Sequence, residues 1–132
     1  MRRRDLRKNA FILLFQICFT DNIEETKNIF FQELELEIMD SEKDFIIRIV
    51  DGVIKNIDEI DNIIIKISDK WDIKRISNID LSILRIAIYE MKFDNETPIN
   101  IVINEAIEIA KEYGTDNSSL FVNGILGKLA SL

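Results

Sequence analysis

The feature that most constrains the fold is a set of apolar residues that recur every three or four positions with few interruptions. The longest series consists of Phe45, Ile49, Val53, Ile57, Ile60, Ile64 and Ile67. This spacing puts the side chains on one face of a helix, whereas a half-buried strand requires strict alternation. The 132 residues include one Pro and four Gly, so little opposes helix formation. An all-α fold is predicted, although Ile by itself favours strands.

The same periodicity predicts a series of helices within one domain. Helices are expected over 5–19, 23–36, 42–68 (with a bend near Gly52 or Asp58) and 79–93. Two more are expected, one from Thr97-Pro98 to Gly114 and one after Asn117-Ser118. Residues 71–76 are expected to form a short connection of about one helical turn. Ser41–Asp44 is typical of a capping box, and Ser77 or Asn78 can cap the helix over 79–93.

Residue types argue against catalysis. The chain has one cysteine, Cys18, and no histidine, which excludes an internal disulfide, the usual general base and the usual zinc ligand. No Ser-His or Cys-His pairing and no phosphate-binding glycine loop occurs. Glu105 and Glu108 lie three residues apart, which is more typical of a solvated helix edge than of an acid–base pair. We expect no enzyme activity, no metal and no cofactor.

The amino-terminal segment is basic and then apolar, which faintly resembles a signal peptide. Asp5 and Gln16 interrupt that pattern, and no small-residue cleavage site follows. No apolar stretch reaches the roughly 18 residues that a membrane helix requires. A cytoplasmic protein with no membrane partner is expected.

Charge is unevenly distributed. The net charge is −7, but residues 1–8 carry +4, which leaves −11 for the rest. The basic residues of this segment are Arg2, Arg3, Arg4, Arg7 and Lys8. An acidic body repels nucleic acid, yet a concentrated basic arm can still contact phosphates because screening limits charge interactions to about 8–10 Å. On these residues alone, a disordered solubilising tail is an equally reasonable interpretation.

Four sequence segments, together with one proline, suggest a family. They are RRRDLRKNA (2–10), ILRIAIYE (83–90), INEAIEIAKEYG (103–114) and FVNGIL (121–126), with Pro98 between the second and third. In this order and spacing they resemble the NusB family of bacterial transcription antitermination factors. The resemblance implies about seven helices in two small subdomains, with the basic first helix between them.

The resemblance also implies a function. Members bind the boxA element of nascent RNA, chiefly from rRNA operons, together with the ribosomal protein NusE, and recruit antitermination machinery to RNA polymerase. The residues expected to bind RNA are Arg2, Arg3, Arg4, Arg7, Lys8, Tyr113, Asn117, Ser118 and Phe121. Tyr113 and Phe121 flank a polar turn and are candidate platforms for base stacking, although helical spacing also suits Phe121 for core packing. The residues expected to bind the partner are Ile79, Asp80, Leu81 and Arg85.

Several polar residues interrupt apolar helices. Asn104, Glu105 and Asn123 are predicted to be buried and hydrogen-bonded, because each would cost about 1–3 kcal/mol if left unpaired. Arg85 is predicted to form a salt bridge with Glu105 or Glu90. At the position of Asn117 the NusB family more often has an acid, so the amide is expected to bind RNA at least as well as the acidic version.

Three questions stay open at this level. The chain could be the RNA-binding module of an rRNA cytosine methyltransferase, but it ends at Leu132 with no methyltransferase domain. It could instead be a helical interaction module that does not bind RNA, in which case neutralising the basic arm would leave function unchanged. The apolar, aromatic first helix also makes a homodimer plausible.

Overall fold

The fold of the described residues is entirely helical. The computed structural model describes residues 1–34, 38–68 and 72–132. These contain seven α-helices: α1 (Arg3–Ile17), α2 (Ile23–Leu34), α3 (Asp40–Lys55), α4 (Ile57–Ile67), α5 (Asn78–Tyr89), α6 (Ile99–Tyr113) and α7 (Ser118–Ala130). The all-α prediction is confirmed. The predicted end of the second helix at residues 35–36, and Trp71 in the predicted connection, lie outside the described residues.

Helix α1 lies at the centre of the molecule. Its residues Leu6, Ala10, Leu13 and Leu14 are almost completely buried, and burying each leucine side chain contributes about 1.5–3 kcal/mol. The helix contacts α2, α3, α5 and α6, while α3 also packs against α5 and the last helices pack against one another. A central position of the basic helix is what the resemblance implies.

The bend predicted near Gly52 or Asp58 in the helix over 42–68 lies between those residues, at Asn56, where it is a full break that divides the helix into α3 and α4. The Asn56 side-chain amide donates a hydrogen bond to the Gly52 carbonyl at 2.8 Å, and the Asn56 backbone leaves the helical region. Asparagine side chains compete with backbone hydrogen bonds in this way. The predicted capping box at Ser41–Asp44 is wrong. Helix α3 begins earlier, and the Glu42 carboxylate accepts a hydrogen bond from the Met39 N–H at 2.9 Å.

A close approach between α3 and α5 depends on Gly52. A Cβ atom at this position would lie 2.2–2.6 Å from three atoms of the Tyr89 ring. The Tyr89 side chain is buried, and its ring stacks on Phe93 with centroids 6.3 Å apart. Only a residue without a side chain leaves room for this ring.

Helix α5 begins where the sequence predicts and ends differently. The Ser77 hydroxyl accepts a hydrogen bond from the Asp80 N–H at 3.1 Å, which confirms the predicted cap. After Tyr89 the chain continues as a π-helical turn over Glu90–Asp94 and then reverses at Asn95, whose φ is 55°. A short 3₁₀ helix (Ile73–Arg75) precedes α5, in agreement with the helical turn predicted for this connection. Among the described helices, none combines the length and the hydrophobicity that a bilayer-spanning segment requires.

Candidate nucleic-acid interface

The basic segment is part of a folded helix, because α1 already begins at Arg3. Residues four apart lie on the same side of a helix, so Arg3 and Arg7 share one side while Arg4 and Lys8 share another. The first pair lies against Phe45 of α3, and the second lies against α6. The alternative of a disordered tail therefore does not hold from Arg3 onwards.

The side of α1 that faces α6 carries two ion pairs. The Arg4 guanidinium donates two hydrogen bonds of 3.1 Å to Glu105, and the Lys8 Nζ lies 2.9 Å from the Glu112 carboxylate. Hydrogen bonding to these acids raises the pKa of Arg4 and the pKa of Lys8 above their ordinary values. Exposed pairs of this kind contribute little to stability, so phosphates can compete with the acids for both cations.

Arg7 is a correction to the predicted RNA-binding set. Its side chain is buried, and its guanidinium donates hydrogen bonds to Glu90 at 2.9 and 3.0 Å and to the Thr97 hydroxyl at 3.2 Å. Glu90 is buried as well. The Nε and Nη2 donors of this buried arginine are taken by Glu90 and Thr97, so Arg7 serves to attach α1 to the π-helical turn.

The remaining arginines of the arm are accessible. The Arg2 side chain is 81% exposed and lies 3.5 Å from Asp5. The Arg3 guanidinium lies 4.0 Å above the Phe45 ring and has no acidic partner within the described part of the chain. The accessible cations of the arm are therefore Arg2, Arg3, Arg4 and Lys8.

The two predicted stacking platforms lie on either side of the turn between α6 and α7. Tyr113 ends α6, is 36% exposed and packs against Phe11 with ring centroids 5.1 Å apart. Phe121 is half-buried against the core. It also lines a groove of about 580 Å³ with Asn117, Leu120 and Asp80. Both rings thus combine a packing role with an accessible part.

Ser118 also departs from the predicted RNA-binding set, because its side chain is buried rather than presented to a ligand. Its hydroxyl accepts a hydrogen bond from the Thr115 N–H at 2.9 Å and so stabilises the turn before α7. Gly114 is required there, since a Cβ atom would lie 2.3 Å from the Ser118 hydroxyl oxygen. Asn117 is exposed and makes no side-chain capping hydrogen bond. The Asn117 amide therefore stays accessible.

Two residues of the predicted partner surface on α5 are not available to a partner, since one is buried and the other is paired within the chain. Leu81 is buried. Arg85 forms a bidentate pair with Asp61 of α4 at 2.8 and 2.9 Å, so the predicted bridge to Glu105 or Glu90 is wrong. Those acids are already bound by Arg4 and Arg7.

Ile79 and Asp80 are the more accessible residues of this surface, and both are half-buried. One oxygen of Asp80 is buried with no hydrogen-bond partner among the described residues. Asp80 lines the groove that also contains Asn117 and Phe121, so the two predicted surfaces meet there.

Two of the three predicted buried polar residues are exposed. Asn104 and Asn123 lie on solvent-facing sides of α6 and α7, which makes that prediction wrong. Glu105 is half-buried and paired with Arg4, as expected of a structural acid. The sequence reasoning missed Glu112, although Glu105, Glu108 and Glu112 recur at three and four residues and form an acidic row able to face a basic one.

Within the described ranges no cluster of three or more Asp, Glu, Cys or His side chains is arranged to hold a metal ion. The groups present at this surface are guanidinium, ammonium, amide, aromatic and carboxylate groups.

Comparisons with known proteins agree on one family. The sequence model of the NusB family matches residues 4–131. The transcription antitermination protein NusB of Acetivibrio thermocellus is 41% identical, across 100% of this chain and 90% of its own. The structure of T. maritima NusB has a TM-score of 0.88 at 38% identity and covers 99% of this chain and 92% of that one. A structure of antitermination factors NusB and NusE in complex with double-stranded RNA shares the fold, with a TM-score of 0.85 at 24% identity over 98% and 96% of the two chains.

Proposed function

Because the chain belongs to the NusB family, we propose that it is a transcription antitermination factor that binds boxA RNA of nascent transcripts together with NusE. Transcripts of rRNA operons are the chief expected targets. The observation that carries this proposal is the set of accessible cations at the start of α1, on a protein whose net charge is otherwise strongly negative. A local cationic surface on an acidic body suits selective contact with one segment of RNA.

The proposed RNA surface consists of Arg2, Arg3, Arg4, Lys8, Tyr113, Asn117 and Phe121. The cations would contact phosphates, which supplies affinity without sequence information. The two rings would stack on unpaired bases, and the exposed amide would hydrogen-bond to base edges.

The proposed NusE surface begins at Ile79 and Asp80. The groove of about 580 Å³ brings Asp80 together with Asn117 and Phe121, so partner and RNA would bind side by side. Adjacent weak sites reinforce each other, because binding at one raises the effective concentration at the other. The acidic body of the chain also favours a basic ribosomal protein.

The wider setting follows from the same proposal. The complex with NusE would act on RNA polymerase in the cytoplasm, where transcripts emerge, and the whole chain would function as one RNA-binding domain. A homodimer that covers the RNA surface is a further hypothesis for the protein without its partner.

Binding of a labelled boxA RNA to the full chain, with and without NusE over a salt series, tests the proposal. We expect binding that weakens with salt, with a slope of about −0.7 per neutralised phosphate, and that strengthens with NusE. The double variant Arg2→Gln/Arg3→Gln should weaken binding, whereas Lys55→Gln/Lys66→Gln, which also removes two exposed positive charges, is the matched control. A folded protein that binds no RNA under either condition would instead support a helical protein-interaction module.

A further inference from the structure

Three arginines surround one aromatic ring on the side of α1 that faces α3. The guanidinium carbons of Arg3, Arg48 and Arg7 lie 4.0, 5.4 and 5.7 Å from the centroid of the Phe45 ring. Phe45 is only 7% exposed, so the arginines cover the ring and leave no face on which a base could stack.

A groove of about 440 Å³ lies beside this cluster, between α1, α3 and the start of α6. Four arginines and two acids line it together with one aromatic and two smaller residues: Arg3, Arg4, Arg7, Arg48, Glu96, Glu105, Phe45, Thr97 and Ile101. The volume is within the range of small-ligand sites, about 300–1,000 Å³.

The hydrogen-bond donors of this cluster are incompletely satisfied. Arg7 is paired with Glu90. Arg48 lies 2.6 Å from Glu96 and 3.6 Å from Asp94, but its Nε is buried with no hydrogen-bond partner in the described ranges. Arg3 has no acidic partner in the same part of the chain. Arg3 thus retains N–H donors for an added acceptor. The Arg48 side chain is 38% exposed, so a phosphate would reach its Nη atoms in place of Glu96, whereas the buried Nε is out of reach.

We propose that this groove is a phosphate subsite, in which Arg3 and Arg48 together hold one backbone phosphate of the bound RNA. The inference rests on the proposed function and extends the RNA surface across α1 to α3. Guanidinium groups suit this ligand because their planar fork matches two phosphate oxygens. Glu96, whose side chain is 63% exposed, is the internal competitor that the phosphate displaces from Arg48.

Two substitutions with opposite predicted effects test the subsite. Arg48→Gln should weaken binding of a labelled boxA RNA several-fold and reduce the magnitude of its salt slope by about 0.7, the value of one phosphate contact. Glu96→Gln leaves Arg48 in place and removes its competitor, so RNA binding should become tighter. Lys66→Gln is the charge-matched control and should leave affinity and slope unchanged. Thermal melting of each variant checks that the fold is intact.

Failure of the subsite is distinguishable from failure of the proposed function. If the unsubstituted chain does not bind RNA in the presence of NusE, both the proposed function and the phosphate subsite are contradicted. Normal RNA binding that neither Arg48→Gln nor Glu96→Gln changes would overturn the subsite alone. Weaker binding by both variants would mean that the Arg48–Glu96 pair only supports the fold. Inorganic phosphate is the remaining probe: stabilisation by phosphate that depends on Arg48, with RNA affinity unchanged in Arg48→Gln, would overturn the RNA assignment in favour of a free anion.

Discussion

Arg7 and Glu90 are 83 residues apart in the chain and form a bidentate ion pair in which both side chains are buried. The π-helical turn that follows α5 contains Glu90, and π turns often occur at functional positions in helices. The pair attaches the helix that carries the basic segment to the end of α5. The position of the accessible cations therefore depends on a contact that is itself inaccessible to RNA.

Breaking this pair should destabilise the protein strongly. Arg7→Met leaves a buried carboxylate without its partner, which costs about 3–5 kcal/mol. The double variant Arg7→Met/Glu90→Leu removes both charges and should recover most of the loss, because apolar residues of similar size often replace buried pairs without penalty. Urea unfolding measures both, with the exposed Arg2→Met as the control. A loss below 1 kcal/mol for Arg7→Met would contradict the assignment.

Two glycine substitutions should change the stability of the protein in opposite directions. Gly52→Ala forces the new Cβ against the Tyr89 ring, and overpacking of this kind costs about 1–3 kcal/mol. Gly127→Ala is in the interior of α7 with open space around it, so it should stabilise the helix by about 0.5–1 kcal/mol. Thermal melting would distinguish them. Equal effects at the two positions would show that helix propensity, rather than the Tyr89 contact, determines the result.

Arg85 and Asp61 should be energetically coupled. Their bidentate contact joins α4 to α5, with side chains 13% and 24% exposed. A double-mutant cycle with Arg85→Ala and Asp61→Ala should give an interaction energy of about 0.5–3 kcal/mol. Additive single effects would mean that Arg85 is available for another partner, such as NusE.

Removing the acid that pairs with Lys8 should strengthen RNA binding. Glu112→Gln frees the ammonium group and lowers the raised pKa of Lys8. The pair stabilises the fold at pH values below the ordinary lysine pKa of about 10.4 and loses that contribution as the pH rises through the higher folded-state pKa. At neutral pH the substitution should therefore increase RNA affinity at a small cost in stability. Glu59→Gln on α4 makes the same charge change far from the arm and should have little effect.

The amide of Asn117 should bind RNA better than a carboxylate at the same position. Asn117 is exposed beside Phe121, and Asn117→Asp adds a negative charge to a surface proposed to face phosphates. Weaker RNA binding is expected, with a larger difference at low salt because charge repulsion is then less screened. Fluorescence anisotropy at two salt concentrations measures this, and equal or tighter binding by the Asp variant would contradict the interpretation.

The helices could be predicted from sequence because their apolar spacing and caps are local signals. A bend in the series over 42–68 could also be predicted, but its position at Asn56 could not, since spacing does not show that the Asn56 side chain bonds to the Gly52 carbonyl. The family assignment also confirms the prediction that the chain is not an enzyme.

The partners of the charged residues were the least predictable part of the site. Spacing shows which residues share one side of a helix, but it does not show which helix lies opposite. Arg4 and Glu105 are 101 residues apart, and Arg85 bonds to Asp61 rather than to either predicted acid. Asn104 and Asn123 were predicted to be buried but are exposed. A polar residue next to an apolar row can lie just outside the buried face of its helix.

The helical start of the basic segment also determines how RNA binding should appear in calorimetry. Because Arg3 and the residues after it are already fixed in α1, the entropy of ordering them is lost on folding and not on association. Cations on such a rigid support are presented at a constant rise of about 1.5 Å per residue. Binding should therefore lack the large negative heat-capacity change of coupled folding, and its salt dependence should report phosphate neutralisation with little contribution from a change in protein conformation.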